Sequence, residues 1–199
     1  HAGVAVVDMG AGSTGIAVYT QGSLAHACAV PIGGDHFTND IAVGLGTPIP
    51  EAEKIKHTFG AVRADQAAAS TAIEVPSAGD QPPRILPLRR LGECIEPRAQ
   101  ELVRLIHAEV TRMGGLGAGV VLSGGAGRLT GLPEMLQSAL DLPVRFAQPA
   151  LIEGMPDAVG EPEFAFLVGG CYYAHRLLSR QVKSPSLWEK LRQKWETMA

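Results

Sequence analysis

Apolar and polar positions first follow a strand pattern. Ala2–Met9 (AGVAVVDM) is apolar on both faces and predicts a central strand, and Thr14–Thr20 carries β-formers at Ile16, Val18 and Tyr19. Ser23–Val30 alternates as a third strand, with Gly10–Ser13 and Gln21-Gly22 as the intervening turns. From Asp35 the period becomes helical. Phe37–Leu45 predicts one helix, closed by Gly46-Thr47-Pro48, and Glu51–Phe59 a second, with Pro50 at its start and Gly60 as its stop. Short extended pieces follow in 61–90, including Thr71–Val75, punctuated by Pro82-Pro83. A longer helix is predicted at Glu96–Met113, with Leu102, Ile106, Val110 and Met113 on one face.

A glycine-rich joint from Gly114 then returns the chain to a strand at Gly119–Leu122. Gly124-Gly125 forms a turn, Leu132–Leu140 a helix, Val144–Phe146 a short strand, and Phe164–Arg180 a closing apolar helix. The pattern is α/β: residues 1–32 and 113–180 form two halves of one unit, and 33–112 is an inserted α+β subdomain. Residues 181–199 stand apart as a linker and a helix, Leu187–Met198. Leu187, Trp188, Leu191, Trp195 and Met198 share one face, while Lys190, Arg192 and Lys194 point elsewhere. Such a segment suits a membrane interface, with indoles at headgroup level. A helix packed on its own domain is the alternative.

Composition narrows the class. Lys and Arg number 17 against 20 Asp and Glu, a net charge of −3, which excludes a strongly basic nucleic-acid binder. No run of ~18 apolar residues is available to span a membrane. No charged start precedes an apolar core, so no signal peptide is expected, and His1 in place of Met suggests a trimmed or partial chain. Cys28, Cys94 and Cys171 are far apart, and the six histidines form no local cluster, so reduced thiols in an intracellular globular protein are expected.

Gly10-Ala-Gly12-Ser-Thr-Gly15 reads as the G-x-G-x-x-G dinucleotide fingerprint after a strand. The fingerprint needs a helix to begin there, and Ile16–Thr20 is strand-like instead. No Gly-Lys-Ser/Thr follows, so the Walker loop fails too. A phosphate-binding hairpin satisfies both facts: successive N–H groups at Gly10–Thr14 can converge on an anion, and glycines permit close approach. Asp8 would then hold a hydrated Mg²⁺ or orient water. An ordinary hairpin turn capped by Asp8 and Ser13 is the bland alternative.

VVDMGAGSTGIAVYT at Val6–Thr20 and GVVLSGGAGRLTGLPE at Gly119–Glu134 together resemble the second phosphate motif and the adenosine motif of the actin-like ATPases. Asn39-Asp-Ile-Ala42, Gly46-Thr-Pro48, Ala52–Lys56, Glu74-Val-Pro76, Pro82-Pro-Arg84 and Ile95–Arg98 narrow the resemblance to the FtsA family of bacterial cell-division proteins. It covers the family's second domain and tail; the first domain has no counterpart. The resemblance implies an actin-like, ribonuclease H-like α/β fold that binds ATP and Mg²⁺. Gly10, Gly12, Ser13 and Thr14 would hold phosphates, Asp8 the metal through water, Glu53 and Lys56 the nucleoside, and Gly124, Gly125 and Ala126 the adenosine. Three-residue spacing puts Glu53 and Lys56 on one helix face, which also describes a plain surface ion pair. Gly15 departs from the family's usual acidic residue after the turn, so at most weak ATPase activity is implied.

In the family the inserted subdomain receives the C-terminal peptide of FtsZ, and Arg84, Arg98 and Glu101 match contact positions. Arg89 and Arg90 add charge nearby, and an arginine fork suits a peptide carboxylate; solvated surface arginines are the alternative. The resemblance therefore implies a peripheral protein on the cytoplasmic side of the cell membrane at the division site. It would tether FtsZ filaments, self-associate and recruit other divisome proteins. A sugar kinase or phosphatase of the same fold, or a pilus-assembly scaffold, are the rivals.

Overall fold

A computed structural model describes residues 2–63, 71–77, 79, 81–150 and 153–182. Three antiparallel strands open the chain: β1 (Val4–Met9), β2 (Thr14–Thr20) and β3 (Ser23–Val30). Gln21 and Gly22 both adopt positive φ, 52° and 78°, which suits the right-handed twist of a two-residue hairpin. Helices α1 (Gly34–Leu45) and α2 (Ile49–Phe59) follow, then a small hairpin of β4 (Ala72–Val75) and β5 (Arg84–Pro87). The long α3 (Arg89–Thr111) leads back to β6 (Val120–Ser123), α4 (Leu132–Leu140), β7 (Val144–Phe146) and α5 (Ala165–Val182).

The main sheet has the order β3-β2-β1-β6-β7, with β6 and β7 added parallel to β1. β1 is central, as its apolar character requires: Ala5, Val7 and Met9 are fully buried, and the opposite face is half-buried. The central position also decides the fate of Gly10–Gly15. The chain turns there into antiparallel β2 rather than a crossover helix, so the dinucleotide fold is excluded.

Three expectations need correction. Helix α3 begins at Arg89, not near Glu96, and Pro97 lies inside it. Burial outweighs the hydrogen bond lost at proline, since Leu91, Ile95, Ala99, Leu102, Val103, Ile106 and Val110 form one buried stripe. Met113 falls beyond the helix and is exposed. Helix α5, predicted as the apolar close of the globule, is largely uncovered. Val168 is buried, whereas Phe166 is 80% exposed, and Leu167, Tyr172, Tyr173, Leu177 and Leu178 also face outward.

Residues 33–112, expected as an inserted subdomain, share a core with the sheet. Phe37, Ile41, Ile73, Val75, Leu91 and Ile106 belong to the same buried cluster as Val7, Val18 and Leu122. Among the described residues, no helix is long and apolar enough to cross a membrane. The tail residues Leu187, Trp188, Leu191, Trp195 and Met198 lie outside the described residues.

Candidate functional site: a glycine-lined cleft beside the first hairpin

Strand β1 delivers Asp8 to the mouth of the first hairpin, and parallel pairing sets Ser123 of β6 directly beside it. The Ser123 hydroxyl donates to Asp8 Oδ1 at 2.6 Å, which fixes the carboxylate while leaving its second oxygen as a hard donor. In the turn itself, Gly10 N–H donates to the Ser13 carbonyl at 3.0 Å. Ala11, Gly12 and Ser13 are exposed. The carbonyls of Gly10 and Ala11 accept the amides of Gly34 and Asp35 at 3.0 and 2.9 Å, so the start of α1 is tied to the hairpin. Gly33 makes this approach possible: a Cβ there would lie 2.4 Å from the Ala11 carbonyl oxygen. Thr14 has a different place from the rest of its motif. It is fully buried and its hydroxyl donates to the Ile32 carbonyl at 2.8 Å, so only its backbone could meet a phosphate.

Glu53 and Lys56, one turn apart on α2, are joined rather than splayed. The Lys56 ammonium donates to the Gly34 carbonyl at 3.0 Å, to Thr38 Oγ1 at 2.8 Å and to Glu53 Oε2 at 2.7 Å. Its three protons are all engaged, and its side chain is 11% exposed. The Thr38 hydroxyl also bonds the Glu53 carboxylate, and His57 reaches the other oxygen at 2.9 Å. Thr38, one turn into α1, is the partner that sequence reading missed; its spacing from Gly34 was visible, but its depth was not.

Burial would raise the Glu53 carboxyl, but hydrogen bonds from Lys56 and Thr38 and the Lys56 charge overrule it and hold the group below its ordinary 4.5. A carboxylate depressed in the folded state stabilises the fold above its unfolded value and loses that contribution as pH falls through the folded one. Below about pH 4.5 the native chain should therefore lose urea resistance more steeply than Glu53→Gln. Parallel acid profiles of the two proteins would refute the coupling.

Gly34, Lys56 and His57 border a cleft of about 600 Å³, a volume suited to a nucleoside-sized ligand, whereas Asp8, Gly10, Gly12, Ser13, Thr14 and Glu53 are not among its walls. Gly34, Phe37, Lys56, Gly125, Ala126 and Phe164 are among its walls. Of the residues expected at the nucleoside, Lys56, Gly125 and Ala126 line it directly. Gly124 stands behind them at φ 81°, ψ 152°, with its amide donating to the Pro162 carbonyl at 3.1 Å. Arg128, unforeseen in the sequence, closes one side of the cleft through ion pairs to Glu163 at 2.9 Å and Glu161 at 3.1 Å.

The three residues expected at a peptide surface fall into two groups around α1. Arg98 grips Asp40 with two hydrogen bonds, 2.7 and 3.2 Å, and Glu101 with a third at 2.6 Å. Arg84 instead caps the C-terminal end of α1, donating to the carbonyls of Leu45 and Gly46. Arg89 and Arg90 both pair with Glu93.

The family model described as cell division protein FtsA matches residues 5–169. The chain is 41% identical over 174 residues to the cell division protein FtsA of Pseudomonas aeruginosa, covering 86% of this chain and 42% of that protein. It is 39% identical over 181 residues to the Escherichia coli K12 protein, covering 86% and 43%. It thus spans less than half the length of these relatives. MreB5 of Spiroplasma citri bound to ADP superposes with a TM-score of 0.70 at 15% identity, over 92% of this chain and 56% of that one. A PilM–PilN type IV pilus biogenesis complex gives 0.62 at 22% identity, over 84% and 44%. The fold is therefore actin-like, and the chain belongs to the FtsA family of cell-division proteins.

Proposed function

We propose that this chain forms one wall of an ATP-binding cleft in an actin-like division protein. It would link FtsZ filaments to the cytoplasmic face of the membrane. The observation that carries the nucleotide reading is the shared cleft of Lys56, Gly125 and Ala126, set beside the first hairpin through Gly34. Glycine at 125 leaves open space where an adenosine would lie; a Cβ there meets nothing within 4 Å. The amides of the exposed residues Gly12 and Ser13 would meet phosphates, Gly10 would shape the turn because its own N–H is held by the Ser13 carbonyl, and Asp8 would hold Mg²⁺ through water. The ion would neutralise phosphate charge. Lys56 would bias the cleft toward anions, although it must release one internal partner to contact a ligand directly. MreB5 bound to ADP has the same fold, which supports the reading without fixing the ligand.

In this reading the unit formed by 1–32 and 113–180 supplies the nucleotide wall together with Gly34, Phe37 and Lys56 of the insert. Residues 33–112 present Arg84, Arg98 and Glu101 to the FtsZ tail peptide, and 181–199 reaches the membrane. Self-association into filaments and recruitment of other divisome proteins complete it. The outward apolar residues of α5 give the chain surface to bury in such an assembly.

Fluorescence anisotropy of labelled ATP with Mg²⁺ tests the nucleotide step. With only one wall present, binding is expected to be weak. Gly125→Val should lower affinity on the order of tenfold, about 1.4 kcal/mol, by filling the adenosine space. Unchanged affinity in that variant would remove the cleft from the argument.

A further inference from the structure

We propose that His26, Cys28 and Glu109 form a binding site for a zinc-class transition-metal ion that joins the edge strand β3 to helix α3. His26 and Cys28 are two residues apart on β3, so strand geometry places both on one face. Glu109 reaches them from the last turns of α3. His26 Nε2 lies 3.0 Å from Glu109 Oε2, and the three donor atoms lie within 4.8 Å of one another. All three residues are half-buried. The site is separate from the walls of the nucleotide cleft.

The donor set decides the class of ion. One imidazole, one thiol and one carboxylate suit zinc or cobalt(II); magnesium and calcium take oxygen shells. Tetrahedral zinc bonds of about 2.0–2.3 Å put neighbouring ligand atoms roughly 3.5 Å apart, so the trio needs only side-chain adjustment to close on an ion. Three protein ligands leave the fourth corner to water. Burial, followed by the Glu109 charge, pushes the Cys28 thiol up, so the ion displaces a thiol proton to solvent as the Cys28 Sγ–metal bond forms. Arg112 Nη1 lies 3.3 Å from Glu109 Oε2 and competes for it. Metal binding requires Arg112 to retreat or to hold the other carboxylate oxygen.

Cobalt(II) is the probe, because a cobalt–thiolate bond gives a charge-transfer absorption that an oxygen- or nitrogen-only site lacks. Titration of the whole chain should show that band saturating at one equivalent and being displaced by zinc(II). Cys28→Ser should abolish it. His26→Gln should weaken cobalt affinity by more than the roughly 10–100-fold that loss of an outer-shell partner costs. A Cys94→Ser/Cys171→Ser protein should keep the band in full. Zinc(II) should also raise the thermal midpoint of the native chain and leave that of Cys28→Ser unchanged. Absence of the band in the native chain overturns the proposal, as does its loss in the Cys94/Cys171 protein or its survival in Cys28→Ser.

Discussion

Gly124→Ala is expected to destabilise the protein by about 3 kcal/mol, near the upper end of ordinary single-residue effects. Two independent costs act at this position. The backbone sits at φ 81°, ψ 152°, a region essentially restricted to glycine, worth about 1–3 kcal/mol of strain for any other residue. A Cβ would also lie 2.3 Å from the Met9 carbonyl oxygen and 2.9 Å from the Met9 nitrogen, and Met9 belongs to the central strand and cannot yield cheaply. The thermal midpoint should fall by roughly 6–12 °C for a chain of this size. The neighbouring glycine provides the comparison. Gly125→Ala meets open space and should change stability by less than about 0.5 kcal/mol. Thermal or urea denaturation of the two variants reads the difference directly, and equal losses would contradict the role assigned to Gly124. In the proposed reading, stability and nucleotide affinity should therefore separate across adjacent glycines: Gly124 shapes the backbone, and Gly125 would leave room for the ligand.

The second large effect concerns the tail. A chain ending at Lys183 is expected to stay in the supernatant of a liposome sedimentation assay in which the full chain pellets. Leu187, Trp188, Leu191, Trp195 and Met198 would supply the apolar burial; net charge from 187 to 198 is only about +1, so lipid charge contributes little. Labelled FtsZ tail peptide should pellet with the full chain. Arg98→Ala should still pellet while leaving the peptide in solution, because it lacks the fork that would exchange Asp40 or Glu101 for the peptide's carboxylates. Equal pelleting of the truncated chain would assign membrane contact to the described residues instead. The exposed side chains of α5, Phe166 and Tyr173 foremost, would then be responsible.

Much of the fold was legible in local pattern. The three-strand meander and the helix at Leu132–Leu140 need only near neighbours to declare themselves, through alternation, helical period and glycine punctuation. The start of α3 was not legible, because Pro97 imitates a helix start and the competing force is burial of Leu91 and Ile95 against distant elements. The exposure of α5 was hidden for a related reason: periodicity shows which face is apolar and is silent about whether anything covers it. Within the site, motif spelling singled out Asp8, Lys56, Gly125 and Ala126. The same spelling carried Thr14 along, although its hydroxyl is spent on Ile32.

The expectation that the histidines and cysteines are scattered holds along the chain and fails in space. His26 and Cys28 are two residues apart, but Glu109 is 81 positions beyond Cys28 and joins them only because α3 packs back across the sheet. Lys56 and Thr38 meet in the same way, through the packing of α2 against α1. By itself the sequence determined the family, the element types and the glycine-marked turns, since these rest on local sterics and ordered motifs. Tertiary structure alone decided which polar groups are already engaged, which apolar faces stay open and which distant ligands converge, because each depends on contacts between segments far apart in the chain.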